Sequence, residues 1–230
     1  PPQQSIPKCL VHDAILDGHV EWWGLYSFCG PAEEQWTKHE YPAPGCSNIH
    51  MIWTDSPCMS TCWNDSNSYI EAVRSDEIEF MVAQHPWLEN DCLLADIILP
   101  VATKFEMDDM GDEHNSGIFT SLYMERQAVP PIGESLSDFD VVAKIAEKLG
   151  SKDGLGIDYY SLYTGNVSTE KKLELWFKSS GAGDYITYED FKEKQYYVVP
   201  PDPDVLKEPA GMRRFYEDPE NNPLTTPTGK

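Results

Sequence analysis

The sequence predicts an α/β protein with an open, mostly parallel, doubly wound sheet. Between residues 48 and 150, short apolar runs alternate with segments of helical periodicity. The order strand, helix, strand, short helix, strand, long loop, helix is typical of open sheets that carry helices on both faces. The run at 77–84 alternates between polar and apolar residues and then turns fully apolar, as expected for a strand in the centre of such a sheet.

Three runs predict the strands of this sheet: 48–54 (NIHMIWT), 77–84 (EIEFMVAQ) and 95–101 (ADIILPV). Residues 64–75 between the first two predict a helix, because several Asn, Asp and Ser residues can cap its start. Residues 91–95 predict a single helical turn. The proline that ends the third run stops further pairing in the ladder.

The clearest predicted helix covers residues 137–150. Ser137 can cap its start and Gly150 stands where a left-handed C-terminal residue belongs. Its apolar residues recur at helical spacing: Phe139, Val142, Ile145, Ala146 and Leu149. Residues 168–181 and 188–194 predict two further helices. We therefore divide the chain into an irregular lead-in (1–47), an α/β core (48–150) and a helical, surface-wrapping extension (151–230).

Composition narrows the class of protein. The chain has 230 residues, 40% of them hydrophobic, and a net charge of -22. So negative a chain is a poor partner for nucleic acid or anionic membranes, and no apolar run approaches the length of a membrane span. The opening PPQQSIPKC resembles neither an initiator segment nor a signal peptide, so we expect an internal piece of a longer polypeptide.

The six cysteines are scattered, which favours free thiols in a reducing compartment. Cys58 and Cys62 have C-x3-C spacing, and a metal site there is a weak alternative because no partner ligands follow at zinc-site spacing.

A run of acidic residues follows the third predicted strand after a short bridge. It extends from Glu106 to His114. A solvated loop, a metal cluster and one wall of a ligand site are three interpretations. The spacing does not match a calcium loop, because Asp108 and Asp109 are adjacent and no bidentate Glu follows. We expect most of these charges to lie in a solvated loop that carries no metal.

Topology favours a ligand near part of this loop. Ligands of open α/β sheets bind outside the carboxyl ends of the strands, and three loops leave such ends: 55–63, 85–90 and 101–117. The chain has no G-x-G-x-x-G, no G-x4-G-K-[ST] and no G-x-S-x-G, which argues against NAD, ATP and a nucleophile elbow.

Several segments in fixed order resemble the molybdopterin oxidoreductases of the dimethyl sulfoxide reductase type. They are ADIILPVATKFEMDD, QAVPPIGESLSDFDVVAKIAEKLG, NNPLTTPTGK, WTDSPCMSTCWNDSN and MVAQHPWLENDCLLADIILP. The resemblance covers residues 46–150 well and 215–230 moderately. It implies that the chain forms most of one α/β domain, which holds one arm of the cofactor and precedes a C-terminal β-barrel.

The resemblance implies a bis(molybdopterin guanine dinucleotide) cofactor with molybdenum. By position the cofactor-binding residues would be Asp55, Ser56, Gln84, His85, Glu89, Met107 and Asp138. The family often has Asn, Asp and Thr in place of Ser56, His85 and Glu89, and one branch has Lys in place of Met107. Only Asp138 keeps its chemistry. No catalytic residue or metal ligand is assigned within this chain.

The sequences of these segments most resemble a branch of the family that transfers a hydroxyl group between pyrogallol and phloroglucinol type trihydroxybenzenes. That branch implies a cytoplasmic, anaerobic enzyme with a small iron–sulfur subunit, a phenolic substrate and the remaining domains of the parent chain as partners. Two alternatives remain: another enzyme of the family, an anion or oxide reductase or a hydratase, and a cofactor-free acidic α/β interaction domain.

Overall fold

The structure is a computed structural model of the 230-residue chain. It describes residues 4–24, 37–113, 120–150, 154–200, 203–204, 207, 212–224 and 228–230. The chain divides into two compact units, one formed by 1–98 with 208–230 and the other by 99–207. The boundary lies within the predicted 48–150 core, whose assignment as a separate domain stays a prediction.

Among the described residues up to 98, the first unit begins with a 3-10 turn and continues through three helices and most of five strands. In chain order these are α1 (Val11–Leu16), β1 (Val20–Trp23), β2 (Lys38–Tyr41), β3 (Met51–Thr54), α2 (Met59–Cys62), α3 (Ser66–Val73), β4 (Phe80–His85) and β5 (Ile97–Pro100). A second 3-10 turn, Asn90–Leu94, precedes β5. The predicted helix at 64–75 and the predicted turn at 91–95 are therefore confirmed.

A parallel sheet organises the first unit. Its strand order is β3-β4-β5, and β3 pairs with β4 in parallel, with Met51 opposite Phe80 and Thr54 opposite Ala83. One face packs against α1 and α3 through a core of Tyr69, Val73 and Met81. Asp65 starts α3 in a left-handed conformation and accepts a hydrogen bond from Ser68 N at 3.1 Å, as an N-cap does.

The described residues of the second unit form an antiparallel sheet and four helices. In chain order its elements are β6 (Asp109–Glu113), β7 (Thr120–Glu125), α4 (Asp138–Gly150), α5 (Tyr159–Thr164), α6 (Thr169–Ser179), α7 (Tyr188–Lys194) and β8 (Tyr196–Val199). The strand order is β6-β7-β8, and both pairings are antiparallel. A last helix, α8 (Arg213–Glu217), lies in the tail, which belongs to the first unit.

The antiparallel sheet packs against α6 and α7. The core on this face contains Met110, Leu122, Met124, Leu173, Phe177, Ala182, Tyr188 and Phe191. Phe177 stacks on Phe191 with ring centroids 5.0 Å apart. This core holds the elements around the acidic run in place.

This architecture confirms the α/β class and the parallel pairing of the first two predicted strands, which are β3 and β4. The expectation that the acidic run is a solvated loop is wrong for Asp109–Glu113, which forms β6. Met110 and Gly111 alternate with the charges there, and β7 supplies the pairing partner, so Met110 enters the core. His114 lies outside the described residues.

The longest helix in the described part of the chain, α4, has 13 residues. A bilayer span needs about 20 apolar residues, so no described helix crosses a membrane.

Candidate functional site

Two loops of the first unit meet at the carboxyl ends of β3 and β4. Asp55 and Ser56 directly follow β3, and His85 is the last residue of β4. Because β3 and β4 are parallel neighbours, their ends lie at the same edge. His85 Nδ1 lies 3.0 Å from the backbone oxygen of Asp55, so the structure brings these predicted residues together.

The contact with Asp55 determines how the His85 ring is used. A carbonyl oxygen only accepts, so the ring donates through Nδ1–H. Nε2 is buried and has no hydrogen-bond partner among the described residues. Glu89 Oε1 lies 3.4 Å from Nε2, close enough for an ion pair with a protonated ring but not aligned as a hydrogen bond.

Gln84 and Ser56 complete the predicted group in the first unit. Gln84 is 4% exposed, and its Oε1 accepts a hydrogen bond from Trp53 Nε1 at 3.1 Å. The backbone N–H of Ser56 donates to Thr54 Oγ1 at 3.3 Å. The loop after β3 is therefore tied to its own strand.

A buried carboxylate that the sequence analysis did not identify joins the two loops. Asp91 is fully buried and accepts from Met59 N at 2.6 Å and Ser60 N at 3.1 Å, and also from Ser60 Oγ. Its own N–H donates to Pro57 O at 3.3 Å. Asp91 thus caps α2 from a distant part of the chain and fixes the loop that carries Asp55 and Ser56. Only the folded chain brings these segments together, so local sequence gave no signal.

The pair Cys58 and Cys62 lies in the same loop, one helical turn apart. The hydrogen bond with Cys62, followed by burial, raises the pKa of the Cys58 thiol. The five cysteines within the described residues carry free thiols, and Cys29 lies outside them.

The remaining predicted residues, Met107 and Asp138, line a cavity of about 580 Å³ in the second unit. This volume is within the range of small-molecule sites, roughly 300–1,000 Å³. Helices α4 and α6 and the segment that leads into β6 form its walls. The lining includes the side chains of Met107, Asp138, Phe139, Asp140, Lys172 and Trp176.

Ser137, not Asp138, caps α4. Ser137 Oγ accepts from Asp140 N at 3.1 Å and donates to Asp140 Oδ2 at 2.7 Å. Asp138 is the first residue of the helix and is exposed on the wall of the cavity. The expectation that Ser137 provides the cap is therefore confirmed.

Glu106 is held by the protein rather than by solvent. It is 6% exposed, and Oε2 accepts from Thr103 N at 2.8 Å and Thr103 Oγ1 at 2.9 Å. Oε1 accepts from Ile132 N at 2.9 Å. The hydrogen bonds from Thr103 are the main reason that the pKa of this carboxyl lies below its usual range. Glu106 therefore closes its own turn and fixes a second segment against it.

The cavity is also lined by a lysine ammonium, that of Lys172, which the sequence analysis did not identify. Lys172 Nζ lies 3.1 Å from the centroid of the Phe139 ring. Burial lowers the pKa of Lys172, while the nearby carboxylates of Asp140 and Asp109 act in the opposite direction. In the sequence Lys172 is one of three lysines of α6, and only the Phe139 ring that α4 places beneath it distinguishes it.

Within the described residues, no cluster of three or more His, Cys, Asp or Glu side chains forms a metal site. In the acidic run Asp108, Asp112 and Glu113 are exposed, whereas Asp109 is half-buried.

Comparisons with known proteins agree with the resemblance in the sequence. The family model for molybdopterin oxidoreductases matches residues 36–148. The large subunit of pyrogallol hydroxytransferase from Pelobacter acidigallici is 30% identical over 230 residues, which cover 95% of this chain and 25% of that protein. Trimethylamine-N-oxide reductase 1 of Escherichia coli K12 is 28% identical over 171 residues, 71% of this chain and 18% of the relative.

Dimethyl sulfoxide reductase DmsA of E. coli K12 is 26% identical over 189 residues, 79% of this chain and 22% of that protein. Among solved structures, acetylene hydratase from Pelobacter acetylenicus matches with a TM-score of 0.42 at 16% identity, over 72% of this chain and 19% of that chain. The chain spans about a quarter of the length of the hydroxytransferase subunit. On the family model and these relatives, the chain belongs to the molybdopterin oxidoreductase family, in the group of the dimethyl sulfoxide reductases.

Proposed function

We propose that this chain is the part of a molybdenum enzyme that contacts bis(molybdopterin guanine dinucleotide), and that the whole enzyme transfers a hydroxyl group between pyrogallol and phloroglucinol type trihydroxybenzenes. The observation that carries the substrate class is the extent of the match. Similarity to the hydroxytransferase large subunit runs over 95% of the chain, against 71% and 79% for the two reductases described above.

The residues of the second unit fit a dinucleotide cofactor. The cavity between α4 and α6 is large enough for a nucleoside and offers a carboxylate at Asp138, an ammonium at Lys172 and aromatic surface at Trp176. Molybdenum bound to the cofactor would supply the redox chemistry, and the chain itself would bind and orient the nucleotide. Asp55, Ser56, Gln84, His85, Glu89, Met107 and Asp138 are our proposed cofactor contacts.

Asp138 would recognise guanine. The guanine edge presents a ring N–H and an exocyclic amine side by side, and a carboxylate presents two acceptors at matching separation. The pair is therefore bidentate and charge-assisted. The start of α4 favours the ionised carboxylate, because the helix dipole is positive at this end.

His85 would act in the first unit. Its Nδ1 contact with Asp55 fixes the ring, and its buried Nε2 has no hydrogen-bond partner among the described residues. A polar group of the cofactor at Nε2 would satisfy that atom, since buried polar atoms are almost always hydrogen-bonded.

The proposed partners are the remaining domains of the parent polypeptide and a small iron–sulfur subunit, and the proposed location is the cytoplasm. The relative that supports it is described as a large subunit. An oxide reductase of the same family is the second candidate, supported by the identity to trimethylamine-N-oxide reductase.

The test uses the longer polypeptide that contains this chain, purified anaerobically with its copurifying subunits. Molybdenum is measured by mass spectrometry, and the nucleotide is measured as GMP after acid hydrolysis. Activity is then compared for pyrogallol with a trihydroxybenzene acceptor and for trimethylamine N-oxide with a reduced dye. Hydroxyl transfer with GMP present supports the proposal. Reduction alone would select the second candidate, and absence of both molybdenum and GMP would favour a cofactor-free interaction domain.

A further inference from the structure

Lys172 stands out among the lysines of α6 because of its surroundings. Lys171 pairs with Glu174 at 2.7 Å, and Lys178 pairs with the same carboxylate at 2.5 Å. Lys172 has no ion-pair or hydrogen-bond partner within the described residues, although the chain carries a net charge of -22. Its ammonium instead rests on the face of the Phe139 ring, at the wall of the cavity.

The ring beneath Lys172 fixes its position. Phe139 contacts the ammonium of Lys172 and also stacks on Tyr163 of α5, with the Phe139 and Tyr163 centroids 4.8 Å apart. A lysine ammonium has three N–H donors, and the face of one ring cannot engage all of them. The ring supplies no oxygen or nitrogen acceptor, so at least one N–H remains to donate elsewhere. The cavity therefore contains a positioned donor that still lacks an acceptor.

Asp138 is the chain neighbour of Phe139 and lines the same cavity. The cavity thus presents acceptors from α4 and a donor from α6. Trp176 lies one turn further along α6 and adds a partly exposed indole to the lining. A flat ligand that carries two adjacent donors beside an acceptor would match all three features.

Among nucleobases this pattern selects guanine. Guanine has O6 and N7 acceptors next to its N–H donors, and a lysine commonly contacts those two acceptors. Adenine presents an amino group where guanine has O6, and cytosine presents an amino donor at the corresponding edge. Both would direct donors at the Lys172 ammonium.

We propose that Lys172 is a specificity-determining residue, which donates to O6 and N7 of the cofactor guanine while Asp138 accepts from its N–H groups. This inference rests on the proposed guanine dinucleotide. It predicts that side chains of two helices, α4 and α6, recognise the base. The Phe139 ring would hold the Lys172 ammonium in position.

The test uses the holoenzyme with Lys172→Met, which keeps the aliphatic stem and removes the donor. Lys172→Arg is the conservative variant, and Lys171→Met is the matched control on an exposed lysine outside the cavity lining. The readouts are GMP per molybdenum after acid hydrolysis, the half-life of cofactor release in mild urea, and thermal melting. We expect Lys172→Met to release the cofactor at least roughly tenfold faster, as for loss of a hydrogen bond to a charged group, with wild-type behaviour in the other two variants.

Unchanged GMP content and release in a folded Lys172→Met enzyme would overturn the inference. If Lys172→Met does not fold, Lys172→Leu, which also lacks a donor, is measured in the same way, and wild-type retention there would also overturn it. A wild-type enzyme without GMP would contradict the proposed function instead, which separates the two failures. A Phe139→Leu enzyme that loses the cofactor as fast as Lys172→Met, with Lys172→Arg equally defective, would assign Lys172 to packing and reject a role in recognition.

Discussion

At the scale of single residues, the carboxylates of this chain have different tasks that their spacing in the sequence does not reveal. Glu106 and Asp91 are buried and accept hydrogen bonds from backbone N–H groups. Asp138 is exposed on a cavity wall and leaves the capping of its helix to Ser137. Burial and donors therefore separate structural carboxylates from a candidate binding carboxylate.

Replacing Asp138 with Asn tests guanine recognition. The amide would direct one donor at the donors of guanine, so cofactor binding should weaken by about 1–3 kcal/mol, as for an unmet buried polar contact. The helix should persist because Ser137 provides the cap. The measurement is GMP content and cofactor retention of the holoenzyme in mild denaturant.

Asp140→Asn is the matched control for that variant, since Asp140 takes part in the cap with Ser137. It should lower the melting temperature more than Asp138→Asn does and should retain the cofactor better. Full guanine retention in Asp138→Asn would remove Asp138 from the proposed contacts.

Glu106 should give the chain an acid-sensitive turn. Its pKa is lowered in the folded chain, chiefly by the hydrogen bonds from Thr103, so its contribution to stability is present above the ordinary glutamate value. That contribution is lost as the pH falls from about 4.3 through the lowered value. In Glu106→Gln the loss is already complete at neutral pH.

We therefore expect the difference in unfolding free energy between wild type and Glu106→Gln to shrink as the pH decreases across this window. Urea unfolding at several pH values measures it. Glu134→Gln is the control, because Glu134 is exposed. A difference that stays constant down to pH 3 would show that Glu106 does not bind its donors as a carboxylate.

Sequence reasoning at this scale succeeded where the signal is local. The cap at Ser137 was predicted because its partner lies three residues away. For α3 the sequence indicated several candidate caps, and the structure selects Asp65 among them. Asp91 binds residues that precede it by 32 and 31 positions, so no short pattern contains it. Lys172 resembles its neighbours in sequence and differs only through the ring that α4 places beneath it.

At the scale of elements, periodicity located the helices but not always their buried sides. Five apolar residues of α4 were expected to form its core face, yet the structure buries Val141, Ala143 and Ala146, and Leu149 is 53% exposed. Phe139 packs on Tyr163 and Lys172 at the cavity instead. Periodicity states that one side is apolar, and the neighbouring helices decide which side is covered.

The antiparallel sheet shows a second limit. In β6 the charges conceal a strand, because Met110 is the side chain of this strand that enters the core cluster and Gly111 has no side chain. The pairing of β6 with β7, and of β7 with β8, supplies the missing information, because β8 lies far from the other two strands of this sheet along the chain. The parallel strands were easier to recognise because their runs are continuously apolar.

Gly111 should be required by the pairing of β6 with β7. It lies opposite Tyr123, and a Cβ at this position would be 2.2 Å from Tyr123 Cε2. Gly111→Ala should therefore destabilise the chain by about 1–3 kcal/mol, the usual cost of overpacking. The urea midpoint measures the change.

A double-mutant cycle identifies the cause. Tyr123→Leu removes the far end of the ring, so Gly111→Ala should cost much less in that background. Gly183→Ala is a control, because its added Cβ would meet only Phe177 Cε1, at an ordinary 3.8 Å. An equal cost of Gly111→Ala with and without the Tyr123 ring would assign the effect to backbone conformation.

At the scale of the whole molecule, each of the two units carries its own group of proposed contacts. The first provides a loop edge with His85, and the second provides the cavity with Asp138 and Lys172. The order of motifs along the chain predicted the family, which the family model confirms. The chemistry of the reaction could not be predicted, because the resemblance implies that the molybdenum ligand lies elsewhere in the family's chain.

The 230-residue chain should have no enzymatic activity by itself. The chain spans 25% of the hydroxytransferase subunit that it matches along nearly its whole length. Catalysis requires the reacting groups to be held together in one geometry, and the contacts that we propose in this chain are for a nucleotide rather than for the metal. We therefore expect the 230-residue chain, supplied with extracted cofactor, to transfer no hydroxyl group between trihydroxybenzenes and to reduce no N-oxide. Product formation is followed by liquid chromatography beside a cofactor-only sample, with the longer polypeptide as the active control. Turnover above the cofactor-only sample would mean that the catalytic groups lie within these residues after all, and the division of roles proposed for Asp138, Lys172 and His85 would then have to include the reaction itself.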